Sequence, residues 1–220
     1  MAAALWYNGP MKVAVEIAGL SMAYGDRVLF SDISATLRPG TCTVVAGPNG
    51  AGKSTVLRIV CGLQRPTAGA VRFCLDGGRE EDARSFRRRM LGYAGPDYNP
   101  YAELSGIENI QFAARIRGMA LQSPERLLSR VGLKPSRADE PVGTYSSGMK
   151  QRVRLALSLL GDPALLVWDE PTAMLDSEGC AVVEDALGGH LGRGGTLLVA
   201  TNDADEVSRW AHQKIEFARE

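Results

Sequence analysis

The sequence predicts an α/β fold: a mostly parallel sheet that the chain leaves for a helical insertion and then rejoins. Three observations point there. Short segments rich in Val, Ile and Leu alternate with amphipathic stretches in the β-then-α order of a layered fold. A glycine-rich loop, Gly47 to Ser54, stands between one such strand and the helix after it. From about residue 96 to 160 helical patterns dominate, and buried-strand patterns then resume.

Lys12 to Ile17 alternates polar and apolar residues like a half-exposed strand. Ile33 to Leu37 reads as a second strand, stopped by the turn signal Arg38-Pro39-Gly40. Thr41 to Ala46 is apolar enough to be a buried strand, and the helix beyond the glycine loop gathers Val56, Leu57, Ile59, Val60 and Leu63 on one side. In the helical stretch, Ile107 to Arg117 and Pro124 to Val131 carry the pattern, with Ser123 as expected N-cap and Pro124 at the first helical position. Leu165 to Trp168 and Thr196 to Ala200 are buried strands separated by a helix around Glu178 to Leu187. After a last strand near Ile215 no length is left for a C-terminal regulatory domain.

Composition narrows the class. With 45% apolar and 23% charged residues, disordered and fibrous chains are excluded. Lys plus Arg and Asp plus Glu are 25 each, so no global field draws the chain onto nucleic acid or anionic lipid. Apolar runs such as Ala164 to Trp168 fall far short of the ~18 residues a membrane span needs. The apolar residues from Ala2 to Tyr7 lack a basic lead and are too few for a signal peptide, so a cytosolic chain is expected. Cys42, Cys61, Cys74 and Cys180 have no metal or redox spacing and read as reduced packing residues. The 25 glycines are more than the usual ~7% would supply, which implies many turns or close ligand approaches.

Gly47-Pro48-Asn49-Gly50-Ala51-Gly52-Lys53-Ser54 satisfies the pattern G-x-x-x-x-G-K-[ST], followed by Thr55. Its glycines let the backbone wrap a polyphosphate, and amide N–H groups and the helix N-terminus face the negative charge. Lys53 reaches the β and γ phosphates, while the Ser54 hydroxyl is a ligand for Mg²⁺. Such a site needs acids at the end of a buried strand, and Leu165 to Glu170 supplies them. Asp169 is the metal-side carboxylate and Glu170 the general base that polarises water. Between the two, Tyr145-Ser146-Ser147-Gly148-Met149 opens a helix with Val153, Ala156, Leu157 and Leu160 on one side. The Ser146 hydroxyl and Gly148 N–H make a second anion site. One nucleotide does not need two, so a head-to-tail dimer is expected, each turn closing over the ATP of the other chain.

In order and wording these motifs resemble the ATP-binding subunits of ABC transporters over nearly the whole chain, nearest the haem-exporter and ABC-2 type exporters. The resemblance implies a P-loop NTPase of ABC type with an antiparallel β edge. It implies one domain over 1–220, with core and β subdomain at 1–95 and 160–220 and a helical subdomain at 96–159. It places an adenine-stacking ring at Tyr24 and trans ATP contacts at Ser146, Ser147, Gly148 and Asp176. It further implies ATP and Mg²⁺ as cofactors, a second ATPase subunit, and a separately encoded transmembrane subunit. No nucleic-acid partner is expected, and the location implied is the cytoplasmic face of the membrane. In this family Tyr98, Pro100 and Tyr101 would stand where a short helix of the membrane subunit is received; packing onto their own subdomain is the alternative.

Three departures from the family pattern stand out. Tyr145, Ser147 and Met149 replace residues of the Leu-Ser-Gly-Gly-Gln signature while Ser146 and Gly148 remain. Pro96 stands where the family places a metal-touching glutamine, after a strand like Met90 to Ala94. Asp97 is then the candidate replacement ligand, with a retained water as the alternative. Asn202 stands for the family histidine beside the γ-phosphate and is expected to slow hydrolysis while leaving binding intact. The run Arg84, Arg87, Arg88, Arg89 follows acidic residues and reads as a solvated helix face. His190 and His212 receive no catalytic role. The rival readings are a soluble ATPase acting on nucleic acid or ribosomes, and a weakly hydrolysing partner in a heterodimer.

Overall fold

A computed structural model describes residues 12–75, 78–120 and 123–217. β1 (Val13–Tyr24) and β2 (Arg27–Leu37) form a hairpin that β4 (Ala68–Leu75) and β5 (Arg79–Glu81) extend into an antiparallel sheet of order β2-β1-β4-β5. β1 is twice as long as period-two alternation suggested, because the alternation changes phase. Val13, Val15 and Ile17 point inward, then Leu20 and Met22, with a register shift between Ile17 and Leu20. A bulge at Gly19, φ 60°, keeps both apolar sets on the core side.

The second sheet is parallel, in the order β6-β7-β8-β3-β9, from β3 (Cys42–Ala46), β6 (Leu91–Ala94), β7 (Leu165–Asp169), β8 (Thr196–Thr201) and β9 (Gln213–Glu216). Every residue of β7 and β8 is buried, as expected of central strands covered on both faces. One face carries Val45, Leu165, Val167 and Leu198 into a core shared with the antiparallel sheet and α1 (Lys53–Cys61). The other carries Val44, Leu166, Trp168 and Val199 onto the helices.

Between β6 and β7 the chain builds α3 (Gly106–Arg117), α4 (Pro124–Arg130) and α5 (Ser147–Ser158), which pack on one another. Ser105 and Glu108 form a reciprocal capping box at the start of α3. Ser123 occupies the N-cap position of α4 but does not cap it; its hydroxyl donates to Glu125 instead, at 3.1 Å. α5 lies against β6 so closely that a Cβ at Gly92 would sit 1.9 Å from the Ser158 carbonyl. Trp168 donates to the Ser158 hydroxyl at 2.9 Å from beneath.

α2 (Ala83–Met90), capped by Asp82, corrects the expectation for the arginine run. Arg84, Arg88 and Arg89 are exposed, but Arg87 turns inward. Its guanidinium donates to the carbonyls of Val60 (2.9 Å) and Ile59 (3.3 Å) at the end of α1, where the helix dipole favours a cation. α6 (Ser177–Gly192) and α7 (Ala204–Trp210) complete the fold. Buried His190 bonds the Thr196 carbonyl at 2.9 Å, a packing role. Among the described residues no helix is long and apolar enough to cross a membrane.

Candidate nucleotide site

The glycine loop leaves β3 and turns into α1, so it sits at the carboxyl end of the parallel sheet, where open α/β folds bind ligands. Gly47 (φ 149°) and Gly52 (φ 103°) hold backbone geometry that a side chain would strain, and a Cβ at Gly47 would lie 2.8 Å from that of Phe217. Gly52 caps α1 with no side-chain bond. The first amides of the helix therefore remain available to an anion. Lys53, 7% exposed, folds back and donates to the carbonyls of Gly47 (2.8 Å) and Pro48 (3.1 Å). Its ammonium thus already lies over the loop that Gly47, Pro48, Asn49, Gly50, Ala51 and Gly52 form.

Asp169 ends β7 at 3% exposure, with Oδ2 buried and without a hydrogen-bond partner. Burial raises its pKa, against the opposing pull of the Ser54 hydroxyl and Arg58. A buried carboxylate oxygen without a partner is costly unless a cation meets it. Beside the Ser54 hydroxyl, that is an oxygen pair suited to Mg²⁺. No cluster of three or more His, Cys, Asp or Glu able to hold a metal exists among the described residues. A magnesium ion here would therefore complete its shell with phosphate oxygens and water.

Glu170 adopts φ 50°, unusual for a residue with a side chain. The turn is fastened on several sides: its N–H donates to Ala200 at 2.9 Å, and its carbonyl accepts from Ala173 N–H at 3.1 Å. Burial raises the Glu170 pKa, with Lys53 opposing and Asp169 adding to the rise. A more basic carboxylate is the better proton acceptor. The Asn202 side chain, past the end of β8, reaches the loop, its amide 3.3 Å from Asn49 Oδ1, while its backbone N–H bonds the Glu170 carboxylate.

Asp97 lies near enough to Asp169 to add to the rise of its pKa. The Asp97 carboxylate pairs with Arg58 on α1, at 2.7 Å to Nε and 2.5 Å to Nη2. Both of these guanidinium nitrogens meet one oxygen, Oδ2. Tyr24 is 53% exposed at the hairpin tip, where Gln64 Nε2 bonds its hydroxyl at 2.6 Å and leaves the ring face free.

Ser146 caps α5, its hydroxyl accepting from Met149 N–H at 3.2 Å. The N–H groups of Ser147 and Gly148 keep no partner among the described residues. A Cβ on Gly148 would lie 2.8 Å from the Met174 carbonyl, so the turn is pressed onto the loop that follows Glu170. Asp176 caps α6: one carboxylate oxygen accepts from Gly179 N–H (2.8 Å) and Arg152 (3.2 Å). Ser146, Ser147, Gly148 and Asp176 all line one cleft of about 510 Å³. The cleft beside Gly47, Asn49 and Asn202, about 520 Å³, shares no lining residue with it.

Pattern reading missed two buried polar residues. Glu206, on α7, accepts from Thr201 Oγ1 at 2.6 Å and from Thr172, clamping the loops after β7 and β8 together. Gln151, on α5, donates to the carbonyls of Pro171 (3.0 Å) and Glu170 (3.4 Å). A polar residue on the same stripe as Leu155 and Ser158 was the available sign of Gln151.

Strand, glycine loop and helix, with an acid pair at the end of the next strand but one, define a nucleotide-binding P-loop protein. The ABC transporter family model matches residues 30–173, and the chain belongs to that family. The Nod factor export ATP-binding protein I of Rhizobium sp. (strain N33) is 35% identical over 90% of this chain and 66% of its own length. The chain thus spans just under two thirds of that relative. The cytochrome c biogenesis ATP-binding export protein CcmA of Methylococcus capsulatus is 38% identical over 86% of this chain and 91% of its own. In fold the chain matches the dimeric structure of a bacterial ABC transporter cassette, with TM-score 0.80 and 24% identity over 92% of this chain and 94% of that one.

Proposed function

We propose that the chain is an ATP-binding and ATP-hydrolysing subunit, one domain with a core at 1–95 and 160–220 and a helical part at 96–159. Two copies, or this chain and a second ATPase, close head to tail around two nucleotides. The observation that carries this reading is that one chain holds two helix starts with amides open to an anion, at Gly52 and at the Ser146 turn, and that the cleft at the Ser146 turn is lined by no residue of the glycine loop.

Gly47 to Thr55 holds the phosphates through backbone amides, and Lys53 exchanges its carbonyl partners for phosphate oxygens, a charge-assisted bond. Ser54 and Asp169, with Asp97 as the further candidate, would hold Mg²⁺, which would supply charge stabilisation to the transferring phosphoryl group. Glu170 takes the proton of the attacking water. The second chain contributes Ser146, Ser147 and Gly148; Asp176 acts in the same closure by fixing the start of α6. Tyr24 offers its ring face to adenine.

The closure drives a separately encoded membrane protein, and the export relatives favour export. Its docking surface is the groove between Tyr98, Pro100, Tyr101, Phe112 and Ile116, about 230 Å³, which would hold the chain at the cytoplasmic face. Tyr101 and Phe112 meet edge to face at 5.1 Å between ring centroids. A second reading, a slowly hydrolysing member of a heterodimer, is favoured by Pro96 and by the neutral Asn202 amide lying on Asn49.

One experiment separates the readings: MgATP turnover across a protein concentration series, for the natural chain, Glu170→Gln and Asn202→His. Turnover rising with the square of concentration and lost in Glu170→Gln supports the catalytic homodimer. Binding without turnover, or turnover awakened only by Asn202→His, supports the heterodimer partner. Turnover untouched by Glu170→Gln refutes the general base.

A further inference from the structure

We propose that Arg154 and Gln151 are positioning residues that carry the state of the Tyr98–Asn99 loop to the backbone of Glu170. This rests on the reading of Glu170 as general base. All three guanidinium nitrogens of Arg154 are engaged. Nε donates to the Tyr98 carbonyl at 2.9 Å, Nη2 to Asn99 Oδ1 at 2.7 Å, and Nη1 to Gln151 Oε1 at 3.1 Å. Gln151, 5% exposed, then donates through Nε2 to the carbonyls of Pro171 and Glu170.

The chemistry fixes the direction of this chain of bonds. A guanidinium only donates, so the glutamine oxygen must face it, and the NH₂ group is left to face two carbonyls that only accept. No amide flip satisfies both ends. A cation on the oxygen also polarises the amide and strengthens the bonds its NH₂ gives. At the far end stands a residue at φ 50°, a conformation that persists only while its surroundings hold it. Withdrawing the glutamine takes the donor from the Pro171 carbonyl, leaves the Glu170 carbonyl with Ala173 N–H alone, and loosens the Glu170 turn.

At the near end, Tyr98 and Asn99 line the apolar groove with Pro100, Tyr101, Phe112 and Ile116. Anything seated there that shifts the Tyr98 carbonyl or the Asn99 side chain redirects Arg154. The residue two before Tyr98, Pro96, has no side-chain donor or acceptor and cannot report such a shift itself. Arg154, on the helix that the Ser146 turn opens, takes up that task.

The test is steady-state MgATP turnover of the full chain as natural protein, Arg154→Ala, Asn99→Ala, the double variant, Arg154→Lys and Glu170→Gln, with nucleotide affinity and Tm beside it. Arg154→Ala is expected to lower kcat about three- to thirtyfold while KM and nucleotide affinity hold. The double variant should fall no further than Arg154→Ala, because both cut one path. Arg154→Lys should be intermediate, since one ammonium cannot span three acceptors. A kcat unchanged in Arg154→Ala, losses shared equally by kcat and binding, or additive losses in the double variant overturn the relay. If Glu170→Gln turns over normally, the base assignment fails instead. Should the natural chain turn over too slowly to measure, hydrogen exchange at the Glu170 and Ala173 amides decides. Faster exchange in Arg154→Ala supports the relay, and unchanged exchange overturns it.

Discussion

Replacing Asp169 by Asn should make the nucleotide-free protein more stable while weakening its hold on MgATP. The carboxylate is 3% exposed and one of its oxygens is buried with no hydrogen-bond partner. Leaving a buried polar group unsatisfied costs about 1–3 kcal/mol, more when it is charged. The amide removes the charge at nearly constant volume, so a gain of about 2 kcal/mol is expected. At roughly 2–4 °C per kcal/mol for a chain of this size, that is a rise in Tm of about 4–8 °C in magnesium-free buffer.

The pH dependence has a definite sign. The folded pKa of Asp169 lies above its ordinary value, so the folded state keeps a proton that the unfolded chain has lost. Stability of the natural protein therefore declines as pH rises from the ordinary carboxylate value through the raised one. Asp169→Asn lacks this decline, and its advantage should be full at neutral pH and vanish on acidification. Differential scanning calorimetry with chelator, repeated with MgATP, measures both halves. Adding MgATP should raise Tm less in the variant, because ligand stabilisation follows affinity. A variant no more stable than the natural chain at neutral pH would refute the claim that this carboxylate is held at a cost.

Gly92→Ala should lower stability by about 2–3 kcal/mol, read as a lower denaturant midpoint at constant slope, because its Cβ would press on the Ser158 carbonyl at 1.9 Å. An unchanged midpoint would mean that α5 is not fixed against β6. Tyr24→Ala should weaken ATP binding about two- to tenfold, the range of a stacking contact. Tyr24→Phe keeps the ring and loses only the Gln64 bond, so an equal loss in both variants would show that the ring face is not the contact.

Much of this was legible in the sequence because local chemistry dictated it. The glycine loop needs positive φ at defined positions, and Gly47 and Gly52 supply it. The buried strands at Leu165 and Thr196 are uniformly apolar because both faces are covered. The length of β1 was hidden by the bulge at Gly19, since a pattern of period two breaks where one extra residue enters. Long-range pairing hid the rest. The Arg58 partner of Asp97 comes from α1, and the arginine run looked uniform until one member met the end of another helix. Gln151, Arg154 and Glu206 each take one partner from a distant part of the chain, Pro171, Tyr98 and Thr172, so the α5 stripe could mark Gln151 as buried but not say what it holds.

The order of the parallel sheet has a consequence for the order in which the protein acquires its parts. β3, which leads into the phosphate loop, is flanked only by β8 and β9: Thr43 pairs with Leu198 on one side and Gln213 on the other. During synthesis both neighbours arrive after the helical stretch. The hairpin of β1 and β2 can close early, since its contacts are local. β3 must wait, its edges bare, through the whole helical stretch. The phosphate-binding loop therefore gains its sheet only once β8 and β9 have emerged. An interrupted chain that stops after α5 would expose two unpaired edges of an apolar strand, the kind of surface that aggregates.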